Sequence, residues 1–175
     1  MIYIKKEQIM ATAIFYASST GNTEIISKEI AKELGDIDLI DIADNGVSSI
    51  NEYTNVILGV ATWGEGELQD DWDEEWDNFK SIDFSNKTVA LFGLGDQEGY
   101  GENYVDAMGI VHEHLINTEA NIVGKWAVTG EYVHDNSRAI VDDMFVGLAL
   151  DEDNQEDLSG ERIVKWCENI RESIL

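Results

Sequence analysis

Proline is missing altogether from the 175 residues, and there is a single cysteine. Without proline, the definition of loops falls to glycine, asparagine and aspartate. The lone Cys167 excludes an internal disulfide and suits a reducing cytosol. It also excludes an iron–sulfur cluster, which needs several thiolates. If the chain carries electrons, an organic cofactor must hold them. No apolar run approaches the roughly 20 residues of a membrane span. The first ten residues contain Lys5 and Lys6 but neither the apolar stretch nor the small-residue cleavage site of a signal peptide. Basic residues are scarce as well: 11 Lys and Arg face 36 Asp and Glu, a formal net charge of −25. Such a field repels nucleic acid and anionic membrane surfaces and attracts basic protein partners at salt-sensitive rates. The same charge would also serve solubility or a high-salt habitat, so it does not decide function by itself.

What is present fits one α/β domain with no length left for a second cofactor module. Apolar runs alternate with amphipathic stretches. Strands are expected at Thr12–Tyr16, Asp38–Ile42, Asn55–Val60 and Thr88–Gly93, with a fifth starting at Asn121–Trp126. Helices are expected at 23–34, 71–80, 103–118 and 160–174. The first has Ile25, Ile26, Ile30, Ala31 and Leu34 on its buried stripe. In the second, Trp72, Trp76 and Phe79 share a face. The last has Ile163, Val164, Cys167, Ile170 and Ile174 facing inward. Near-continuous apolar strands imply a parallel sheet covered on both faces, and the alternation implies a doubly wound domain. The stretch 127–159 is too long for a simple connection. Its strand-like run Phe145–Leu150 reads as the fifth strand resuming after an inserted loop, near Val146.

The chemistry is expected in three loops at the carboxyl ends of strands, where open α/β sheets bind ligands. Ser18, Ser19, Thr20, Gly21, Asn22 and Thr23 combine hydroxyls, a glycine and fresh helix N–H groups into a phosphate cradle. The loop lacks a Walker lysine and the G-x-G-x-x-G fingerprint, so a terminal phosphate monoester fits better than a nucleoside triphosphate or a dinucleotide. The same residues would equally make a plain helix cap. After the third strand come Thr62, Trp63, Gly64, Glu65 and Gly66, and after the fourth Gly93, Leu94, Gly95, Asp96 and, among further glycines, Tyr100. Trp63 packed under its loop would be unremarkable, as would a lone Tyr100. Two glycine-flanked aromatics beside a phosphate cradle point instead to a planar ring held between two faces. His112 and His114 stand two apart on a helix, a poor metal pair. His134 has no evident partner. Trp72, Trp76, Trp126 and Trp166 read as packing residues.

Taken together, the Ser18–Thr23 loop, the TWGEGEL loop from Thr62 and the run Lys87–Ala107 (KTVALFGLGDQEGYGENYVDA) resemble a flavodoxin, the last almost residue for residue. Phe145–Gln155 (FVGLALDEDNQ), with the insertion before it, is similar to the long-chain subclass. The resemblance runs from about Ala11 to the C-terminus. It implies a five-stranded parallel sheet of order 2-1-3-4-5 with FMN at the strand ends. Ser18 to Thr23 would hold the phosphate, Trp63 and Tyr100 the two faces of the flavin, and Gly64, Glu65, Gly95, Asp96 and Asn103 its polar edge. The peptide at Gly64–Glu65 would turn a carbonyl toward flavin N5. The implied activity is low-potential, one-electron transfer through the semiquinone/hydroquinone couple, by a cytoplasmic, monomeric carrier rather than an enzyme. Implied partners are basic redox proteins, such as a ferredoxin/flavodoxin-NADP reductase or low-potential iron–sulfur oxidoreductases. They would dock on the acidic face. The run Glu65, Glu67, Asp70, Asp71, Asp73, Glu74, Glu75 and Asp77 beside the cofactor loops reads by default as a solvated surface, with partner docking there, or at the smaller group Asp151–Asp153, as the alternative. An FMN-dependent NAD(P)H:quinone reductase and a non-catalytic regulatory domain share the topology and stand as alternatives. The chain departs from the pattern at Ala61, where the family commonly has proline. Residues 1–10 precede the expected start of the fold and read as an unstructured tail or a start placed too early, with Met10 as the alternative.

Overall fold

A computed structural model describes residues 11–175, so the expectation for residues 1–10 lies outside the described residues. β1 (Thr12–Tyr16), α1 (Asn22–Leu34), β2 (Asp38–Asp41) and the short α2 (Ile42–Asn45) lead through a 3-10 turn to β3 (Asn55–Trp63). Then follow β4 (Glu67–Leu68), α3 (Asp70–Glu74), α4 (Trp76–Lys80), β5 (Thr88–Leu94), α5 (Asp106–Leu115) and β6 (Asn121–Val123). The insertion contributes β7 (Trp126–Ala127), β8 (Ile140–Val141) and β9 (Met144–Phe145), before β10 (Leu148–Leu150) and α6 (Glu156–Ile174).

The main sheet runs β10-β5-β3-β1-β2, all pairs parallel. Counting β6 and β10 as one interrupted strand, this is the expected 2-1-3-4-5 order. β6 pairs with β5 at Thr88–Ala90, and β10 pairs with it again at Phe92–Leu94. The interruption therefore leaves the start and end of the fifth strand on the same edge of β5. Between them β7, β9 and β8 form a small antiparallel sheet. Asp142 and Asp143 at the β8–β9 turn both have positive φ, 52° and 62°, as a tight two-residue hairpin requires.

Period-2 alternation sorts the strand residues onto two cores. Phe15, Val56, Leu58, Val60, Val89 and Leu91 pack with Trp72, Phe79, Met108 and Val111 on one face. Ile14, Ile57, Ala90, Phe92 and Leu148 meet Ile26 and Ile30 of α1 and Ile163, Trp166 and Ile170 of α6 on the other. Gly59 belongs to this second face for a steric reason. A Cβ there would lie 2.3 Å from Phe92 Cζ, so the large ring in β5 fills the space left by the missing side chain in β3.

Five expectations are corrected. The fifth strand is shorter than expected on both sides of the insertion, Asn121–Val123 and Leu148–Leu150, because Trp126 and Phe145 pair with each other in the small antiparallel sheet. The helix over 71–80 is two helices, broken at Glu75, whose carboxylate accepts from Val47 N–H and leaves the helical line. The helix expected from residue 103 begins at Asp106, because Val105 adopts φ +50° and a 3-10 turn occupies Gly101–Asn103. The last helix starts earlier than expected, at Glu156. Ile25 and Val164 are exposed, 54% and 40%, and stand off the buried stripes assigned to them.

Candidate functional site

A cleft of ≈ 300 Å³ opens across the carboxyl ends of β1, β3 and β5, where the sheet order reverses. Ser19, Thr20, Asn22 and Thr23 line one part of it, Thr62, Trp63 and Gly64 another, and Leu94, Gly95, Asp96, Tyr100 and Asn103 a third. The three expected loops thus converge on one cavity.

The first loop delivers α1 to the cleft with its N-terminal amides uncovered. Gly21, at φ +95°, occupies the N-cap position, and no side chain caps the helix. Ser18 Oγ instead accepts from Gly21 N–H at 3.0 Å and closes the turn behind the cleft. Among the described helices, side chains cap only α2, through Asp41, and α3, through Gln69; α4, α5 and α6 share with α1 the lack of a side-chain cap. No hydroxyl of Ser18–Thr23 caps α1, and the free N–H groups at its start suit an anion. Gln69 Nε2 also donates to Ser19 Oγ at 3.0 Å, tying the loop to α3.

Gly64, Glu65 and Gly66 form the tip of a hairpin, because Thr62 and Trp63 pair antiparallel with Leu68 and Glu67. Positive φ at Gly64 (52°) and Gly66 (93°) makes the three-residue turn possible. Trp63 is left 42% exposed and Tyr100 52% exposed, so neither is packed beneath its loop. Thr62 Oγ1 accepts from Ala107 N–H at 3.0 Å and fixes this strand end to the start of α5.

The third loop is organised by Asp96. Its Oδ1 accepts from Glu98 N–H at 3.0 Å, Gly99 N–H at 2.7 Å and Asn154 Nδ2 at 2.8 Å. These bonds, the Gly99 N–H foremost, hold its carboxyl below the usual aspartate range despite partial burial. Asp106 ties the second and third loops to the insertion. Its carboxylate accepts from Asn103 Nδ2 at 3.1 Å and Arg138 N–H at 2.6 Å, and lies 2.8 Å from where a Cβ on Gly66 would stand.

Five of the expected residues lie outside the cavity lining. Ser18 and Gly21 shape the first loop, Glu65 sits at the exposed hairpin tip, and Gly66 is buried under it. Gly93 packs inward, where a Cβ would stand 3.0 Å from Met108 Cβ. Ala61, Glu152 and Asp153 line the cleft without having been expected there. Glu152 and Asp153 follow the end of β10, so the strand-end rule that flagged the other loops applied to them too. Burial raises the Glu152 carboxyl above its ordinary value, with Glu156, Glu29 and Asp151 adding to the effect while its bond from Ser159 Oγ opposes it. Burial first, then Asp96 and Asp151, raises Asp153. Among the described residues, no Lys or Arg lines the cavity.

A doubly wound parallel sheet with a mononucleotide-sized cleft at its switch point defines an α/β protein of the flavodoxin-like class. The family model for flavodoxin matches residues 14–166. The flavodoxin of Synechocystis sp. is 44% identical over 161 residues, covering 90% of this chain and 94% of its own. Flavodoxin 1 of Escherichia coli is 44% identical over 165 residues, with coverages of 93% and 94%. Among solved structures, Fusobacterium nucleatum flavodoxin bound to flavin mononucleotide superposes with a TM-score of 0.88 at 32% identity, covering 94% of this chain and 99% of that one. The chain belongs to the flavodoxin family.

Proposed function

We propose that the chain binds FMN in this cleft and carries electrons between redox proteins, with no catalytic side chain of its own. The observation that carries the reading is the combination in one cavity of an uncapped helix N-terminus with two exposed aromatics and, among the described residues, no cation. A phosphate monoester suits the free N–H groups of the first loop, and a flat ring suits Trp63 and Tyr100. Ser18 to Thr23 would hold the phosphate. Gly64, Glu65, Gly95, Asp96 and Asn103 would meet the polar edge of the ring.

FMN, when bound, supplies reversible one-electron chemistry. The protein's part is to orient the ring, limit water and set the field. Asp96, Glu152 and Asp153 place carboxylates around the cleft with no basic side chain among the described lining residues to offset them, which disfavours added negative charge and lowers the potential for the second electron. Gly64 lets the peptide to Glu65 reorient at low steric cost. Basic redox partners, a flavin-containing NADP⁺ reductase or low-potential iron–sulfur oxidoreductases, would dock on the carboxylates flanking the cleft. On this reading the carrier is a cytoplasmic monomer, and residues 11–175 constitute its FMN-binding domain.

Anaerobic reduction of the FMN-loaded protein tests this. Retention of FMN through gel filtration is expected, with two separated one-electron steps and a transient absorbance band in the red between them. Riboflavin, lacking the phosphate, should bind far more weakly. Bleaching in a single two-electron step, accompanied by steady NADPH oxidation, would instead identify a reductase.

A further inference from the structure

A second cleft, of ≈ 320 Å³, lies between the inserted strands and α6 and shares no lining residue with the first. Trp126, Met144 and Leu158 give it an apolar wall, and Lys125, Arg162 and Lys165 bring three cations to it. Three of the chain's 11 basic residues thus meet on one cleft of a molecule of net charge −25. Glu131 and Glu161 also line it, so the lining retains an excess of one positive charge.

Arg162 is the anchor. Its side chain is 6% exposed, its Nη1 donates to Gln155 Oε1 at 2.9 Å, and its guanidinium carbon lies 4.3 Å from the centre of the Tyr132 ring. Nη2 is buried with no hydrogen-bond partner among the described residues, and the Glu131 carboxylate stays at 3.7 Å, beyond hydrogen-bond reach. A guanidinium withdrawn from water with idle donors is costly, and an anionic oxygen is the partner that offsets this best. Lys165 pairs with Glu161. Lys125 takes part in no ion pair among the described residues.

We propose that this cleft binds a small organic anion, its flat apolar body against Trp126 and Met144 and its carboxylate toward Arg162 and Lys125. The site needs none of the residues assigned to FMN, so it stands or falls separately from that reading. The apolar wall sets a minimum on affinity that any aromatic molecule would enjoy. The cations supply the discrimination for charge.

The test is a ¹H–¹⁵N NMR titration of the FMN-loaded full chain with 1-naphthoate and, as the neutral control, 1-naphthamide. Naphthoate should bind about tenfold more tightly than the amide, as a charge-assisted contact requires. It should shift the amides of Lys125 and Leu158–Asn169 and the Trp126 indole N–H, which donates to Tyr132 Oη, while leaving Trp63 and Tyr100 unmoved. The double variant Lys125→Ala, Lys165→Ala should weaken naphthoate about fivefold with the rest of the spectrum intact. Arg162→Lys keeps the charge but loses the planar fork and should also weaken it. Equal affinity for naphthoate and naphthamide, a failure to saturate, or shifts confined to the first cleft would each overturn the proposal.

Discussion

Asp96 carries two duties that pull in different directions. It faces the cleft, where its charge contributes to the anionic field, and it holds the third loop through the N–H groups of Glu98 and Gly99 and the amide of Asn154. Because these bonds favour the ionised form, its folded pKa is lowered. The stability it contributes is therefore complete above the ordinary aspartate value and is lost as pH falls through the lower folded value. Asp96→Ala should reduce the urea midpoint at neutral pH, and the gap from the parent should shrink as the pH drops below the carboxylate range. A gap that stays constant with pH would show that the loop does not depend on the charge. Trp63 offers a second test at this scale. Trp63→Ala should leave the unfolding midpoint of the apoprotein within experimental error, since the ring is exposed. It should weaken FMN by about 1 kcal/mol and raise the fluorescence of the bound flavin. These site residues were legible because glycines and hydroxyls at strand ends are visible in the chain. Asp106 was not, since its role arises only when Gly66, Asn103 and Arg138 are brought together from distant segments.

Among the elements, the interrupted fifth strand is the most exposed to small changes. Gly147 immediately precedes β10, and a Cβ there would stand 2.1 Å from the carbonyl oxygen of Leu91, a backbone atom with no rotamer to escape into. Gly147→Ala should therefore push β10 away from β5 and cost at least the ~1–3 kcal/mol typical of overpacking, read as a fall in the urea midpoint. Gly160, inside α6, has nothing within 4 Å of the same position. Gly160→Ala should stabilise the chain by about 0.5–1 kcal/mol through helix propensity. Opposite signs from the same substitution would place the difference in the local packing. The four uninterrupted strands were read more accurately than the helices from the sequence, and the reason is physical. Buried parallel strands such as β3 and β5 are continuous apolar runs that resemble little else. Helix limits depend on long-range contacts, as when Glu75 turns toward Val47 and divides α3 from α4. The outward turn of Ile25 and Val164 reflects the same limit, because a stripe drawn on a sequence is wider than the strip a sheet can cover.

For the molecule as a whole, the 36 acidic and 11 basic residues set a balance between repulsion and pairing. Pairs such as Lys28–Glu24 and Arg138–Glu113 are largely exposed, and exposed pairs contribute little. Excess carboxylates, by contrast, are forced closer in the folded chain than in the unfolded one, so the net charge destabilises the compact state. Raising ionic strength from about 0.01 M to about 0.15 M shortens the screening length from about 30 Å to about 8 Å. Added salt weakens both effects, and with 25 uncompensated charges the relief of repulsion must outweigh the loss of pairing. The urea midpoint should therefore rise with NaCl while the slope of the transition stays unchanged. Association with a basic redox partner should respond in the opposite sense, its on-rate falling over the same range because steering is lost. A midpoint that fell with salt would mean that the surface pairs hold the fold together more strongly than their exposure allows. The two trends have one origin, and together they separate it from a specific effect of the salt. An ion bound in either cleft would stabilise the fold without slowing the approach of a partner to the acidic face. General screening must do both.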